Sequence, residues 1–82
     1  MRVRYLGPDI GIDGLLDNHE YEVLGVDEIC GYLRVVDESG EDYLYHPIWP
    51  QPVAGIYGGG RFQIIEDDEK GTLANAMAAI EA

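Results

Sequence analysis

Hydrophobic and polar residues alternate along much of this chain, and the alternation predicts β-strands. Residues 20–45 read EYEVLGVDEICGYLRVVDESGEDYLY, in which β-branched and aromatic residues recur at strand spacing. Two turns divide this stretch into antiparallel strands at 20–28, 32–37 and 41–46. The second turn contains Gly40, which supplies the positive φ that a short turn needs. The centre of the chain is therefore predicted to be a β-meander.

Two further strands are predicted on either side of the meander. Residues 2–6 alternate basic and apolar side chains, which places Val3 and Tyr5 on one face. Residues 62–66 alternate in the same way and provide a closing strand. We expect a mainly β protein, a small five-stranded antiparallel barrel with a short C-terminal α-helix. Its predicted core includes Val23, Val35, Leu44 and Ile64.

The C-terminal residues 71–82 have helix composition, with Thr72 as the expected N-cap. Their apolar side chains form one stripe, made of Leu73, Met77 and Ile80. A helix of this length is marginal alone, so it either docks on the barrel, pairs with another copy or frays, and docking is favoured. The predicted division is a barrel over residues 1–70 and a helix or tail over residues 71–82.

Two long segments without a clear period separate the predicted strands. Residues 7–19 carry Asp9, Asp13 and Asp17, whose four-residue spacing is too sparse for a common calcium loop. We interpret these aspartates as turn formers and predict no metal or cofactor site. Residues 46–60 hold three prolines and end in three glycines, which excludes a central strand and suggests a hinge at the glycines.

Aliphatic residues within the predicted loops are expected to be at least partly buried, because exposing so many of them to water is unfavourable. In the first turn of the meander, Ile29 is expected to fold back over the sheet. In residues 7–19, the aliphatic residues are expected to cover an open end of the barrel, and they are Ile10, Ile12, Leu15 and Leu16.

The composition restricts the class of partner and the compartment. Sixteen acidic residues against five basic ones give a net charge of −11, and a nucleic-acid backbone would repel such a surface. Cys30 is the single cysteine, so an internal disulfide is excluded, and its apolar loop suggests a structural role. The chain shows neither a cleavable leader pattern nor a long apolar run, so the cytoplasm is the expected location.

The strongest candidate site is an aromatic contact patch formed by Tyr45, Trp49 and Tyr57, on a proline-rich loop that would present it to a protein or peptide. The alternative for Trp49 is an internal plug at the barrel end. A second hypothesis for function is an acidic mimic of nucleic acid that occupies a basic protein. An enzyme is disfavoured because His19 and His46 lack a recognisable nucleophile motif.

The order of strand, long loop, three-stranded meander and closing strand resembles an SH3-like barrel. The chain also resembles a group of small bacterial proteins with this fold, over the motifs YLGP, DGL, YEVLGVDE, the stretch from Tyr32 to Pro47, and FQIIE. These motifs cover most of the chain apart from the C-terminal helix. The resemblance implies an SH3-like barrel and no particular activity, because such barrels carry unrelated functions.

Overall fold

A computed structural model describes residues 1–9, 14–48, 50 and 60–81, excluding the side chains of residues 80 and 81. All five predicted strands are confirmed, with ends that differ by at most two residues. Within the described residues the protein is mainly β, and the chain order is β1 Arg2–Leu6, β2 Glu20–Val26, β3 Leu33–Val36, β4 Asp42–Tyr45, β5 Arg61–Glu66 and α1 Thr72–Glu81.

The strands form one antiparallel sheet in the order β4-β3-β2-β1-β5. Strand β2 serves both halves of this sheet, because residues 20–22 pair with β1 and residues 23–26 pair with β3. The register of the β2–β3 pair shifts between Val23 and Gly25, as it does at a β-bulge. Among the described strands β4 and β5 lie at opposite edges, so the sheet is open where the sequence predicted a closed barrel.

The core lies on the inner face of the sheet, and the predicted burial of Val23 and Val35 is confirmed. Ile64 is partly buried against the same core. The prediction for Leu44 was wrong: its side chain is 38% exposed, because it lies opposite Arg34 on the outer face. The buried cluster consists of Val3, Tyr5, Leu15, Tyr21, Val23, Leu33, Val35, Tyr45, Phe62 and Leu73.

The segment between β1 and β2 covers one part of this core through Leu15, which is fully buried, and Leu16, which is half-buried. Two carboxylates organise the same segment. Asp17 accepts a hydrogen bond from the backbone N–H of Gly7, and Asp9 accepts one from the N–H of Asp17. These hydrogen bonds join residues eight and ten apart in the chain, so Asp9 and Asp17 tie together distant parts of the segment, whereas the sequence predicted local turns. The remaining predicted residues of this segment, Ile10, Ile12 and Asp13, lie outside the described residues.

Gly60 packs tightly against β1. A Cβ atom at this glycine would lie within 3.0 Å of two ring carbons and the hydroxyl oxygen of Tyr5. The phenolic oxygen of Tyr5 donates a hydrogen bond to the carbonyl of Pro8 at 2.5 Å, which restrains the position of the ring. Gly60 is therefore a position of close approach to Tyr5. The hinge predicted at the three glycines stays a prediction, since Gly58 and Gly59 lie outside the described residues.

Helix α1 docks on the sheet, as favoured from the sequence. Leu73 is fully buried in the core, and Met77 packs against it. The side chain of Ile80, the third member of the predicted stripe, lies outside the description. The helix thus shares its core with the strands. Within the described chain no helix is both long and apolar enough to cross a membrane.

The N-terminus of α1 is capped by upstream aspartates instead of by Thr72, which is already the first helical residue. Asp67 accepts hydrogen bonds from the backbone N–H groups of Leu73 and Ala74. Asp68 accepts hydrogen bonds from the hydroxyl and the N–H of Thr72. These donors favour the charged carboxylates, so they hold the pKa values of Asp67 and Asp68 below the ordinary value of 3.8.

The cap makes helix docking sensitive to acid. Because both pKa values are lowered by folding, the stabilisation is complete above the ordinary pKa of 3.8 and is lost as the pH falls through the lower values of the folded state. We expect the amide resonances of Leu73 and Ala74 to shift together as the pH is lowered below 3.8. An NMR titration checks this expectation.

Asp67→Asn provides the control for this titration, because an asparagine keeps an acceptor oxygen but does not titrate. In this variant the acid shift of the Leu73 and Ala74 amides should disappear, while other acid-dependent resonances remain. Amides of Leu73 and Ala74 that do not respond to acid in the wild-type protein would rule out the carboxylate cap.

Candidate binding groove

A groove of about 540 Å³ lies between the β2–β3 turn and helix α1, and we call it the turn–helix groove. Its surface is mostly apolar and is bordered by charged residues. The apolar residues that line it include Val26, Ala76 and Ala79, and the charged ones are Asp27, Glu28 and Lys70. The turn and the helix therefore form opposite walls of one concave surface.

Asp27 fixes the shape of the β2–β3 turn, which forms one wall of the groove. Its carboxylate Oδ1 accepts the backbone N–H groups of Ile29 and Cys30, at 2.9 and 3.0 Å. The N–H of Gly31 donates to the carbonyl of Asp27, and Gly31 has a φ of 77°, which favours glycine. The hydrogen bonds from Cys30 and Ile29 hold the pKa of Asp27 below its ordinary value. The turn is thus fixed by local hydrogen bonds.

This turn directs its apolar residue into solvent. The side chain of Ile29 is 96% exposed, so the prediction that it folds back over the sheet was wrong. The carboxylate of Asp27 accepts a hydrogen bond from the backbone N–H of Ile29 and so holds the turn in a conformation in which this side chain lies in solvent. Cys30 is likewise exposed, which removes the basis for a structural role.

The turn wall and the helix wall of the groove carry charges of opposite sign. Glu28 is exposed on the turn, and Lys70 is exposed beside the start of α1. Neither takes part in any of the ion pairs that link the described side chains. Asp27, by contrast, is occupied by the turn and lies 3.7 Å from a guanidinium nitrogen of Arg34. Glu28 and Lys70 are therefore the charges that remain available to a ligand.

The predicted aromatic patch is not brought together by the described structure. Tyr45 is 6% exposed, because its register opposite Leu33 places it on the inner face of the sheet. Its hydroxyl donates to Asp37 at 2.6 Å. Trp49 and Tyr57 lie outside the described residues, so the contact patch and the alternative plug both stay predictions.

A second polar cluster lies beneath the β3–β4 turn. Asp37 is buried and accepts hydrogen bonds from the hydroxyl of Tyr45 and from the hydroxyl and N–H of Ser39. Next to it, Glu38 accepts a hydrogen bond from the hydroxyl of Tyr21 at 2.7 Å. Burial raises the pKa values of Tyr21 and Tyr45, so both phenols stay protonated donors. These carboxylates are used to hold the turn and the core phenols in place.

The histidines take part in similar local contacts. The Nδ1 atom of His19 lies 3.3 Å from a carboxylate oxygen of Glu38, and the Nδ1 atom of His46 accepts the N–H of Ile48. Among the described residues no group of three or more His, Cys, Asp and Glu side chains is placed to hold a metal ion.

The turn–helix groove was missed by sequence reasoning, which treated the turn and the helix separately. One signal was present, because an aspartate followed four residues later by glycine is typical of a turn held by a side-chain carboxylate. That signal locates a turn but not the helix that faces it. Comparison with known proteins adds no further assignment, since no family model matches this chain and neither a curated protein nor a solved structure matches it.

Proposed function

We propose that the open sheet is the framework of a small SH3-like barrel. Three observations support this proposal: the strand order β4-β3-β2-β1-β5, the sharing of β2 between the two halves of the sheet, and the long segment between β1 and β2. The order of elements along the chain, a strand, a long segment, a three-stranded meander and a closing strand, agrees with the one on which the resemblance was based. SH3-like barrels carry unrelated functions, so the function of this protein depends on the groups that its surface presents.

On this framework we propose a protein- or peptide-binding module whose contact site is the turn–helix groove. The observation that carries the proposal is Ile29, whose side chain is almost fully exposed on a turn that forms one wall of an apolar groove. Full burial of such a side chain is worth about 1.5–3 kcal/mol, and folding leaves this free energy unused. Asp27 already fixes the backbone of the turn, so binding a partner costs little further loss of conformational entropy in the turn.

The second candidate is an acidic mimic of nucleic acid, which the net charge of −11 favours. Several described carboxylates are committed to local structure, however: Asp27 to its turn, Asp37 to the core phenol and Asp67 to the helix cap. The positions of these carboxylates are set by turns and by a helix end. A mimic of nucleic acid needs its carboxylates in regular rows like those of backbone phosphates. We therefore place the binding module first.

Blocking the groove should abolish partner capture. Ala79 lines the groove, and Ala79→Arg would place a long side chain across its apolar surface. We expect this variant, immobilised on beads, to recover at least about tenfold less of the specific partner from a lysate of the source cells, which corresponds to a loss of about 1.4 kcal/mol. Quantitative mass spectrometry of the bound proteins measures the difference.

Ala78→Arg is the matched control, because Ala78 is exposed on the same helix and is not among the residues that line the groove. The two variants change the net charge equally. Recovery of the same proteins by both variants would contradict the groove as the contact site. If the proteins retained by both are basic and are released by salt, the acidic mimic is the better description.

A further inference from the structure

The apolar part of the turn–helix groove is suited to one large aliphatic side chain of a partner. Ala76 and Ala79 project small side chains from α1, and Val26 closes the groove at the end of β2. The groove volume of about 540 Å³ lies within the range of about 300–1,000 Å³ that is usual for ligand sites. The small side chains of Ala76 and Ala79 leave room in the groove for an aliphatic group.

The charges around the groove indicate which charged group of a partner would lie next to that aliphatic side chain. Glu28 is exposed on the turn wall and forms no ion pair with the other described side chains, whereas Lys70 lies on the helix wall. The whole molecule carries a net charge of −11, so its field attracts cationic partners from a distance. A ligand cation is attracted to Glu28 and repelled by Lys70, which gives a bound segment a preferred direction across the groove.

We infer that the turn–helix groove binds a partner segment in which a large aliphatic residue lies next to a lysine or arginine. The aliphatic side chain covers Ala76 and Ala79, and the cation lies beside Glu28. This inference rests on the proposed binding function and adds the chemistry of the partner.

Synthetic peptides test the inference on the whole 82-residue chain. One peptide alternates leucine with lysine, a second replaces leucine by serine, and a third replaces lysine by glutamate. We expect the leucine–lysine peptide to shift the amide resonances of Gly31, Asn75, Ala76 and Ala79 in a saturable way. The serine–lysine peptide should bind roughly tenfold more weakly because it lacks the aliphatic contact. The leucine–glutamate peptide should give no saturable shift.

A pair of charge variants locates the cation. Glu28→Gln should weaken binding of the leucine–lysine peptide roughly two- to fivefold, as expected for an exposed ion pair. Glu22→Gln changes the net charge equally at an exposed position on β2 that does not line the groove, and it should leave the affinity unchanged. Added salt should weaken binding to the wild-type protein and have less effect on Glu28→Gln.

Three outcomes would overturn the inference. The first is equal binding of the serine–lysine peptide, which would show that charge alone attracts the ligand. The second is peptide-induced shifts outside the groove. The third is a change in the groove resonances with protein concentration in the absence of peptide, which would make a second copy of this chain the occupant. If the leucine–lysine peptide gives no saturable shift while capture from lysate stays sensitive to Ala79→Arg, this inference is wrong and the binding function stands. If both fail, the binding function is wrong as well.

Discussion

Leu73→Ala is expected to lower the free energy of unfolding by about 2–5 kcal/mol, although the residue lies in the short C-terminal helix. Its side chain is fully buried among residues of the sheet core. Truncation removes buried methyl groups and leaves a cavity that the surrounding strands fill only in part. A domain of this size has a small margin of stability, so the loss is large relative to the total. Urea denaturation followed by circular dichroism measures it.

Leu24→Ala is the matched control, because it deletes the same atoms from a side chain that is 53% exposed on β2. We expect this control to cost less than about 1 kcal/mol, as surface substitutions in strands usually do. The comparison also tests the predicted division at residue 70. If Leu73→Ala costs no more than Leu24→Ala, the helix is a dispensable tail; a much larger cost shows that the sheet needs the helix to complete its core.

Gly60→Ala is expected to destabilise the protein by about 1–3 kcal/mol through a single added methyl group. The new Cβ would overlap the ring of Tyr5, and that ring is fully buried. The ring cannot easily move away, because its hydroxyl donates to the carbonyl of Pro8 and its edge meets Phe62, with ring centroids 6.2 Å apart. The clash must therefore displace the backbone at Gly60, directly before β5. The urea midpoint measures this effect.

Gly25→Ala is the control for this substitution. A Cβ atom at Gly25 meets no atom within 4 Å, and its φ does not lie in the region that disfavours other residues. The control should be neutral, or stabilising by up to about 1 kcal/mol, because alanine restricts the unfolded chain. Equal midpoints for the two variants would show that the segment around Gly60 yields freely and that the contact with Tyr5 is not tight.

Local sequence was sufficient for most of the secondary structure. The alternation in residues 2–6 predicted the strand and placed Val3 and Tyr5 on one face, and the structure shows both side chains fully buried. Gly40 marked its turn correctly and has a φ of 82°. Such features depend on neighbours along the chain, through the two-residue period of a strand and the steric freedom of glycine. Periodicity could not resolve Tyr43-Leu44-Tyr45, because three consecutive apolar residues fit either face.

The candidate site was much less predictable. Sequence reasoning chose Tyr45 as a surface anchor because it precedes a proline-rich segment, yet pairing with Leu33 turns it into the core. The same reasoning buried Ile29 because it is apolar, yet the carboxylate of Asp27 holds the turn so that this side chain is exposed. Hydrophobicity alone does not indicate whether a loop residue is core or contact surface.

The sequence by itself determined the strands, the turns with their glycines, the short helix and the acidic charge, because each depends on the identity of residues close together in the chain. The tertiary structure decided which face of β4 is buried, that Leu73 completes the core, and that Gly60 must approach Tyr5. It also placed the β2–β3 turn opposite α1, which forms the turn–helix groove. These features require contacts between residues far apart in sequence, and such contacts are set by strand register and packing.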